Sequence, residues 1–456
     1  MFINGIYFIC LYLLSISHKL ESSEIVITIL SQLNDYNVEQ ALRLKNNILK
    51  QTKSIKEPRL SGVYMLHEQF PEPGSWTIIP IIKLLYKNNK NAKWFLFCEE
   101  NAYVNYDNLQ LFLKEKNSSE SLWMGYGVKD KHPTIIHHYA FEENENERVT
   151  YPLFAAGFVI SAELLKNIAN LKVENQLDSD FSIDASYELA LVINKKIKHL
   201  PLKFCLKLSP DCIVHPLSER SDCTQYGKVT KDSIYFAVKT CSKFHSDRIP
   251  VLQSTWGRDA VYIEYFSDKF DNAIPTTVLD VPNTERGHCQ KTITIFKYLS
   301  KKLLSNKAVK WIALTDDDTL LSVPRLASIL SCWNGQQIAL GQRYGYNIRG
   351  DQSLGYNYLT GGGGIIFNVG LVHKLTTCKC YALDAPDDMV LGMCLKALNA
   401  TVVHSPVFHQ ARPQDYADEY LESYPMVSFH KHWMIDPIEV YRHWLYQDSS
   451  FGHDEL

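Results

Sequence analysis

The sequence predicts an α/β protein built of two tandem Rossmann-like domains, the first a degenerate copy of the second. Three observations carry that expectation. Short apolar runs that read as strands alternate with helical runs; a pattern of strand, acidic cluster, small-residue turn and Asp-led helix occurs twice; and the acidic cluster is stronger in the second occurrence.

The strands come first. Residues 25–30, 94–98, 234–240 and 311–315 are short apolar runs, and residues 290–304 have helical character. Such alternation predicts α/β layers around a largely parallel sheet. The repeat is read from two segments. Lys93-Trp94-Phe95-Leu96-Phe97-Cys98 runs into Glu99-Glu100-Asn101, and Lys310-Trp311-Ile312-Ala313-Leu314-Thr315 into Asp316-Asp317-Asp318. Ala155-Ala156-Gly157 leads into an apolar strand, as Gly362-Gly363-Gly364 does, and Asp184 and Asp388 each open a helical stretch. Parallel features in one order point to duplication; two unrelated domains sharing generic strand-turn-helix grammar are the alternative. Residues 209–231, with Pro210, Pro216, Ser218, Ser221 and Gly227, have the polar, turn-forming character of a linker. The expected divisions are therefore 22–208 for the first domain, 232–446 for the second and 447–456 for a tail.

The ends predict a compartment. Residues 1–17 read as a signal peptide, with an apolar run from Ile6 to Ile16 and the small-x-small pattern Ser15-Ile16-Ser17. That run is shorter than the ~20 apolar residues a membrane span needs. No Lys or Arg precedes it, so a buried N-terminal strand is the alternative. His453-Asp454-Glu455-Leu456 has the pattern of a retrieval signal. Together they predict a soluble protein of the endoplasmic reticulum lumen, without a membrane span, with the retrieval receptor as a partner through its HDEL tail. Loss of the leader removes Cys10 from eleven cysteines and leaves ten, most of them expected in disulfides. Cys378-x-Cys380 and the group Cys205, Cys212, Cys223 lack the paired spacing of a zinc site. The sequons at Asn117 and Asn399 are expected at the surface. A net charge of -3 gives no electrostatic reason to expect nucleic acid or an anionic membrane as partner.

The chemistry is concentrated in the second half. Asp316, Asp317 and Asp318 follow directly on a buried strand, and three adjacent like charges repel unless a cation offsets them. Hard oxygen ligands suit Mg²⁺ or Mn²⁺; an acidic turn capping the next helix is the alternative. In Phe429-His430-Lys431-His432-Trp433 the two histidines would share one face of an extended strand, and an imidazole in the shell favours Mn²⁺. Gly361-Gly362-Gly363-Gly364 would let backbone approach a bulky ligand, or simply turn. Asp387 and Asp388 open a helical run; either caps it or serves as a general base kept ionised by the helix N-terminus.

These motifs resemble one family jointly. Ser254-Thr255-Trp256-Gly257, Phe266-Ser267-Asp268, the strand ending in Asp316-Asp317-Asp318, Thr360 with its four glycines, Pro386-Asp387-Asp388-Met389 and Phe429-His430-Lys431-His432-Trp433 occur in the order of the Fringe-like β1,3-glycosyltransferase superfamily. Gly341-Gln342-Arg343-Tyr344-Gly345-Tyr346 and the run from Ser405 to Pro413 resemble, more narrowly, its members that add glucose to O-linked fucose on thrombospondin type 1 repeats. The resemblance implies tandem GT-A domains, UDP-glucose as donor, Mn²⁺ as metal, and O-fucosylated thrombospondin repeat proteins as acceptors. It implies Asp316, Asp318 and His430 or His432 at the metal, and Asp316, Asp317, Gly362 and Gly363 at the donor. Asp268 and Lys291 map to the nucleotide region and Asp388, or Asp387, to the base. Competing readings are a Fringe-like N-acetylglucosaminyl- or galactosyltransferase and a non-catalytic lectin or folding sensor. A D-x-D-x-[TV] phosphohydrolase would need Thr or Val where Leu320 stands. In the first half, Glu99-Glu100-Asn101 lacks the third carboxylate, which predicts binding or support rather than catalysis.

Overall fold

A computed structural model describes residues 24–56, 59–131, 149–171, 180–194, 199–200, 212–217, 223–349 and 354–447. The expected signal peptide and the HDEL tail lie outside them. Among the described residues no helix is long and apolar enough to cross a membrane.

Each half contains one large sheet, and the two sheets share a strand order. In the first half the order is His199–Leu200, Trp123–Gly125, Phe158–Ser161, Trp94–Cys98, Ile25–Ile29, Leu60–Met65. In the second it is Thr401–His404, Ile338–Gly341, Ile365–Asn368, Trp311–Asp316, Ile234–Lys239, Tyr262–Ser267, with Thr276–Val278 added at the edge. Registers correspond as well, since Ile25 lies opposite Trp94 as Ile234 lies opposite Trp311. The duplication read from motifs is therefore a duplication of topology.

The sheets are largely parallel, as expected, with one antiparallel strand in each. Phe158–Ser161 and Ile365–Asn368 each run antiparallel beside the strand that carries the acidic cluster. This follows from where the small-residue turns sit: a strand that starts at the edge where its neighbour ends must run backwards. Ile365 accordingly pairs with Leu314, and the four glycines share an edge with the aspartates.

Burial explains why these segments are strands and helices. Trp311, Ile312, Ala313 and Thr315 are all fully covered, as are Phe95, Leu96, Phe97 and Cys98 in the first half. A strand buried on both faces reads as a continuous apolar run. The helix Cys289–Lys302 buries Cys289, Ile293, Phe296 and Leu299 against the second sheet and ends on Lys301 and Lys302, which complement its dipole.

The two halves are joined by more than a tether. Phe181–Ser182 of the first half pairs antiparallel with Gly345 and Tyr346 of the second, making a three-stranded sheet with Tyr356–Leu359. Trp333 Nε1 donates to Asn34 Oδ1 at 3.0 Å, and Tyr424 donates to Glu99 Oε2 at 2.9 Å. The described part of the segment expected to be a linker is packed. Val214–Pro216 pairs antiparallel with Ala102–Val104, because Ile213 and Val214 are apolar and find cover there. Cys223, at its far end, is bonded to Cys332.

The cysteines behave as an oxidising compartment predicts. Besides Cys223–Cys332 there are disulfides Cys289–Cys380 and Cys378–Cys394, while Cys98 and Cys241 carry free thiols. Asn117 and Asn399 are both exposed. Gly287, in the loop before the helix at Cys289, has φ 57° and would place a Cβ 2.0 Å from the Asp384 carbonyl oxygen. Gly287→Ala is expected to lower stability by more than about 1 kcal/mol, because both the left-handed conformation and the backbone contact oppose a side chain. Thermal melting against the wild type checks it; an unchanged Tm would show that the loop at Asp384 gives way freely.

Candidate active site

The second sheet gathers its charged residues at one edge. Trp311–Asp316 delivers Asp316, and the turn after it presents Asp317 and Asp318 before the strand Thr319–Leu321 begins. That short strand pairs antiparallel with Ser428–His430, which sets Thr319 opposite His430. Two motifs more than a hundred residues apart in the sequence thus meet through three backbone pairs. Thr319 fastens the corner: its Oγ1 donates to the Gly362 carbonyl at 2.8 Å and accepts from Asp316 N at 3.1 Å. Trp256 Nε1 donates to the Thr319 carbonyl at 2.9 Å, so the Ser-Thr-Trp-Gly motif supports this corner from below.

Asp316, Asp318 and His430 each offer a ligand atom, and those atoms lie within 4.8 Å of one another. His430 Nε2 is 3.0 Å from Asp318 Oδ1 and 3.9 Å from Asp316 Oδ2. A borderline imidazole with two hard carboxylates fits a divalent cation such as Mn²⁺. His432 is not in this group. The strand ends at His430 and Lys431 takes φ 76°, so the alternation that would put both histidines on one face is broken. His432 Nε2 is buried without a hydrogen-bond partner, and burial pushes its imidazole down to about 4.

Cations of the protein itself offset the remaining repulsion. Arg248 Nη1 lies 2.6 Å from Asp317 Oδ1 and 2.9 Å from Asp318 Oδ2, with its guanidinium over the Phe244 ring. Thr240 Oγ1 donates to Asp317 Oδ2 at 2.8 Å. Burial would raise the Asp318 carboxyl, but His430 and Arg248 outweigh it and hold it well below the ordinary range. Asp317 goes the other way: burial pushes it up to about 6 despite Arg248. Burial disfavours a charged His430, yet Asp318 prevails and raises it.

Lys239 links this cluster to the helix Asp387–Ala397. Its Nζ is 3.0 Å from Asp316 Oδ1 and 2.6 Å from Asp387 Oδ2, and Thr292 Oγ1 donates to the same Asp387 oxygen at 2.6 Å. Burial opposes ionisation of Asp387, but Lys239 outweighs it and keeps the carboxylate charged. Asp388, next along the helix, has no ion pair among the described residues. Burial and then the Asp387 charge push it up to about 7, against the bond it accepts from Met389 N at the helix start.

The other expected site residues fall around this edge. Asp268 accepts from Ser242 N at 2.7 Å and Ser242 Oγ at 3.1 Å; burial opposes its charge, and these bonds more than compensate. Lys291 Nζ donates to the Thr240 carbonyl and to Asn283 Oδ1, both at 2.8 Å, and burial lowers its pKa. A Cβ at Gly362 would lie 2.3 Å from His430 Nδ1, so the missing side chain makes room for the imidazole. At Gly363 it would meet the His409 backbone at 3.3 Å. Sequence reasoning missed Lys239, Thr240, Arg248 and Thr292. The signal for Lys239 was available, a basic residue closing the strand that pairs with Trp311–Asp316; Arg248 comes from the turn before the short helix Ile249–Ser254, where the sequence gives no sign of its role.

In the first half the equivalent strand end has Glu99, Glu100 and Asn101. Burial pushes the Glu99 carboxyl up to about 7 and also raises Glu100. Glu100 accepts from Asn37 Nδ2, and no group of three metal-ligating side chains forms there among the described residues.

A tandem α/β architecture with carboxylates and an imidazole converging at one sheet edge fits a metal-assisted glycosyltransferase, and comparison with known proteins gives that class. A family model described as Fringe-like matches residues 81–198 and 229–451, and the chain belongs to that family as a β1,3-glycosyltransferase. It is 42% identical to a β-1,3-glucosyltransferase of Mus musculus over 94% of this chain and 88% of that one. The Homo sapiens β-1,3-glucosyltransferase is 41% identical over 95% and 87%. A β-1,3-N-acetylglucosaminyltransferase lunatic fringe of Gallus gallus is 25% identical over 44% of this chain and 60% of its own.

Two outcomes are expected. A cation that takes Asp318 and a neutral His430 must displace a proton from an imidazole whose pKa is raised. Mn²⁺ affinity should therefore rise about tenfold per pH unit below that pKa and level off above it. Titration calorimetry in buffers of different ionisation enthalpy checks this through the proton released. Gly362→Ala should displace His430 and weaken Mn²⁺ binding more than tenfold while Tm changes little; equal affinity in the two proteins would remove His430 from the metal.

Proposed function

We propose that the protein transfers glucose from UDP-glucose, with inversion, to O3 of O-linked fucose on thrombospondin type 1 repeats in the endoplasmic reticulum lumen, with Mn²⁺ at Asp316, Asp318 and His430. The observation that carries the reading is the division of the acidic edge into two parts: one cluster fit for a metal, and one helix start held apart from it by Lys239. Near full-length identity to β-1,3-glucosyltransferases supports glucose as the sugar.

A bound divalent cation would offset the charge of the donor diphosphate and of the departing UDP. The protein's own groups do the rest. In a single in-line displacement the acceptor oxygen forms its bond to the anomeric carbon as the bond to UDP breaks, on opposite faces of the sugar. The acceptor proton must then pass to a base away from the metal cluster. Asp388 is the candidate for that base, since a general base works best with a pKa near the operating pH. Asp387, tied to Lys239 and Thr292, has the role of positioning the helix start and of raising Asp388 by its charge.

The test is transfer of labelled glucose to an O-fucosylated thrombospondin repeat, against UDP-N-acetylglucosamine and UDP-galactose as donors. Asp388→Asn should reduce kcat about 10²–10⁴-fold while keeping Mn²⁺-dependent UDP binding; Asp318→Asn should lose that binding itself. A base must be deprotonated to accept, so kcat/KM should climb with pH through about 7 and flatten above it. If Asp387→Asn is inactive while Asp388→Asn transfers at the wild-type rate, the base is Asp387. If galactose or N-acetylglucosamine is transferred instead of glucose, the donor assignment is wrong.

A further inference from the structure

An enclosure lies at the acidic edge of the first half, where the second half closes over it. It has a volume of about 170 Å³ and is lined from both halves, by residues that include Asn37, Glu99, Glu100 and Asn101 on one side and Arg343 and Ser405 on the other. We propose that this cavity is a binding site for one neutral pyranose ring of a glycan, separate from the catalytic edge.

Unsatisfied polar atoms point to a ligand. Asn37 is 7% exposed and Ser405 1% exposed, yet Asn37 Oδ1 and Ser405 Oγ have no hydrogen-bond partner. Asn101 Oδ1 and Arg343 Nε are in the same condition. Buried polar groups are nearly always paired, so four such atoms around one cavity call for a molecule rich in hydroxyl groups. Apolar walls alternate with them. Trp76, Tyr36 and Phe154 line the same space, and a pyranose has an apolar face as well as a rim of hydroxyls. Drug-sized ligands occupy about 300–1,000 Å³, whereas this volume is on the scale of a single ring.

Charge decides against a nucleotide or a phosphate. Arg343 is the one Lys or Arg lining the cavity among the described residues, and its guanidinium already lies 4.5 Å over the Trp76 ring. Glu99 and Glu100 face the same space and would repel an anion when ionised. With burial raising both carboxyls, they can donate as well as accept, which suits a neutral polyol. The loss of the aspartate triad and the gain of this lining belong to one strand end, so the degenerate half has exchanged a metal edge for a sugar-sized enclosure.

Saturation-transfer NMR on the full chain, with a panel of neutral methyl pyranosides in the presence of saturating UDP and Mn²⁺, tests the proposal. At least one pyranoside should bind, should still bind Asp318→Asn, and should bind at least tenfold more weakly to the double variant Asn101→Ala, Ser405→Ala with UDP affinity unchanged. Ser405→Ala alone removes a single hydroxyl and keeps the test open should the double variant not fold. Equal signals from wild type and variants would place the sugar elsewhere. Absence of transfer from every pyranoside, together with variants that melt no lower than wild type, would make this a solvent-filled gap. Displacement of the pyranoside by inorganic phosphate would make it an anion site; each of these overturns the proposal.

Discussion

Lys239 is the group on which the catalytic half depends, because it sits between two sets of carboxylates that would otherwise repel. It closes the strand Ile234–Lys239 directly opposite Asp316 in the register, and its ammonium reaches Asp387 on a helix that begins 148 residues later. Burial opposes its charge, but Asp316 and Asp387 more than compensate and raise its pKa. A buried ion pair is poor evidence of stability, yet removing one partner is strongly unfavourable because it leaves an uncompensated charge. Here the pair fixes where two carboxylates lie relative to each other. With Arg248 on Asp317 and Asp318, it lets five aspartates crowd one sheet edge before any metal arrives.

The two halves show how much of a fold can persist when the residues at its acidic edge change. Strand order and the antiparallel strand beside the acidic-cluster strand are shared, as is the strand-end position of the cluster. What differs is the neighbourhood of that cluster. In the second half it is surrounded by Lys239, Arg248 and His430; in the first it is met by Asn37 and Tyr424, which stabilise carboxyl groups through hydrogen bonds without supplying a cation. The first-half cluster has two carboxyls rather than three, bonded to an amide and a hydroxyl, and the cation acting on Glu100 is Arg343 of the second half.

Much of this was legible in the sequence. Trp94–Cys98 and Trp311–Asp316 stand out as uninterrupted apolar runs because both faces are buried, and the parallel between them exposes the duplication. The aspartates and His430 were found because their motifs are compact. The antiparallel strand was not, since direction within a sheet leaves no periodicity of its own. Between His430 and His432 the sequence leaves the choice open, because a single left-handed residue, Lys431, interrupts strand alternation and a lysine gives no warning of it. For Asp388 the helix N-terminus predicts an ionised carboxylate, whereas burial, a tertiary effect no motif shows, and the charge of its neighbour Asp387 raise its pKa. The compact linker was hidden because Pro and Ser mark turns whether or not the residues between them pack.

The small sheet shared by the halves has a consequence for the chain's modularity. Arg343–Tyr346 is a middle strand only because Phe181–Ser182 pairs with it; without the first half it becomes an open edge whose aromatic side chains Tyr344 and Tyr346 are already in strand geometry. Open edges of that kind recruit other chains. Arg349, bonded to the Phe181 carbonyl and 3.5 Å from Glu188, would lose both partners at once. The second half taken alone would therefore present an edge prone to self-association, so the first half acts as a built-in cover for its neighbour's strand.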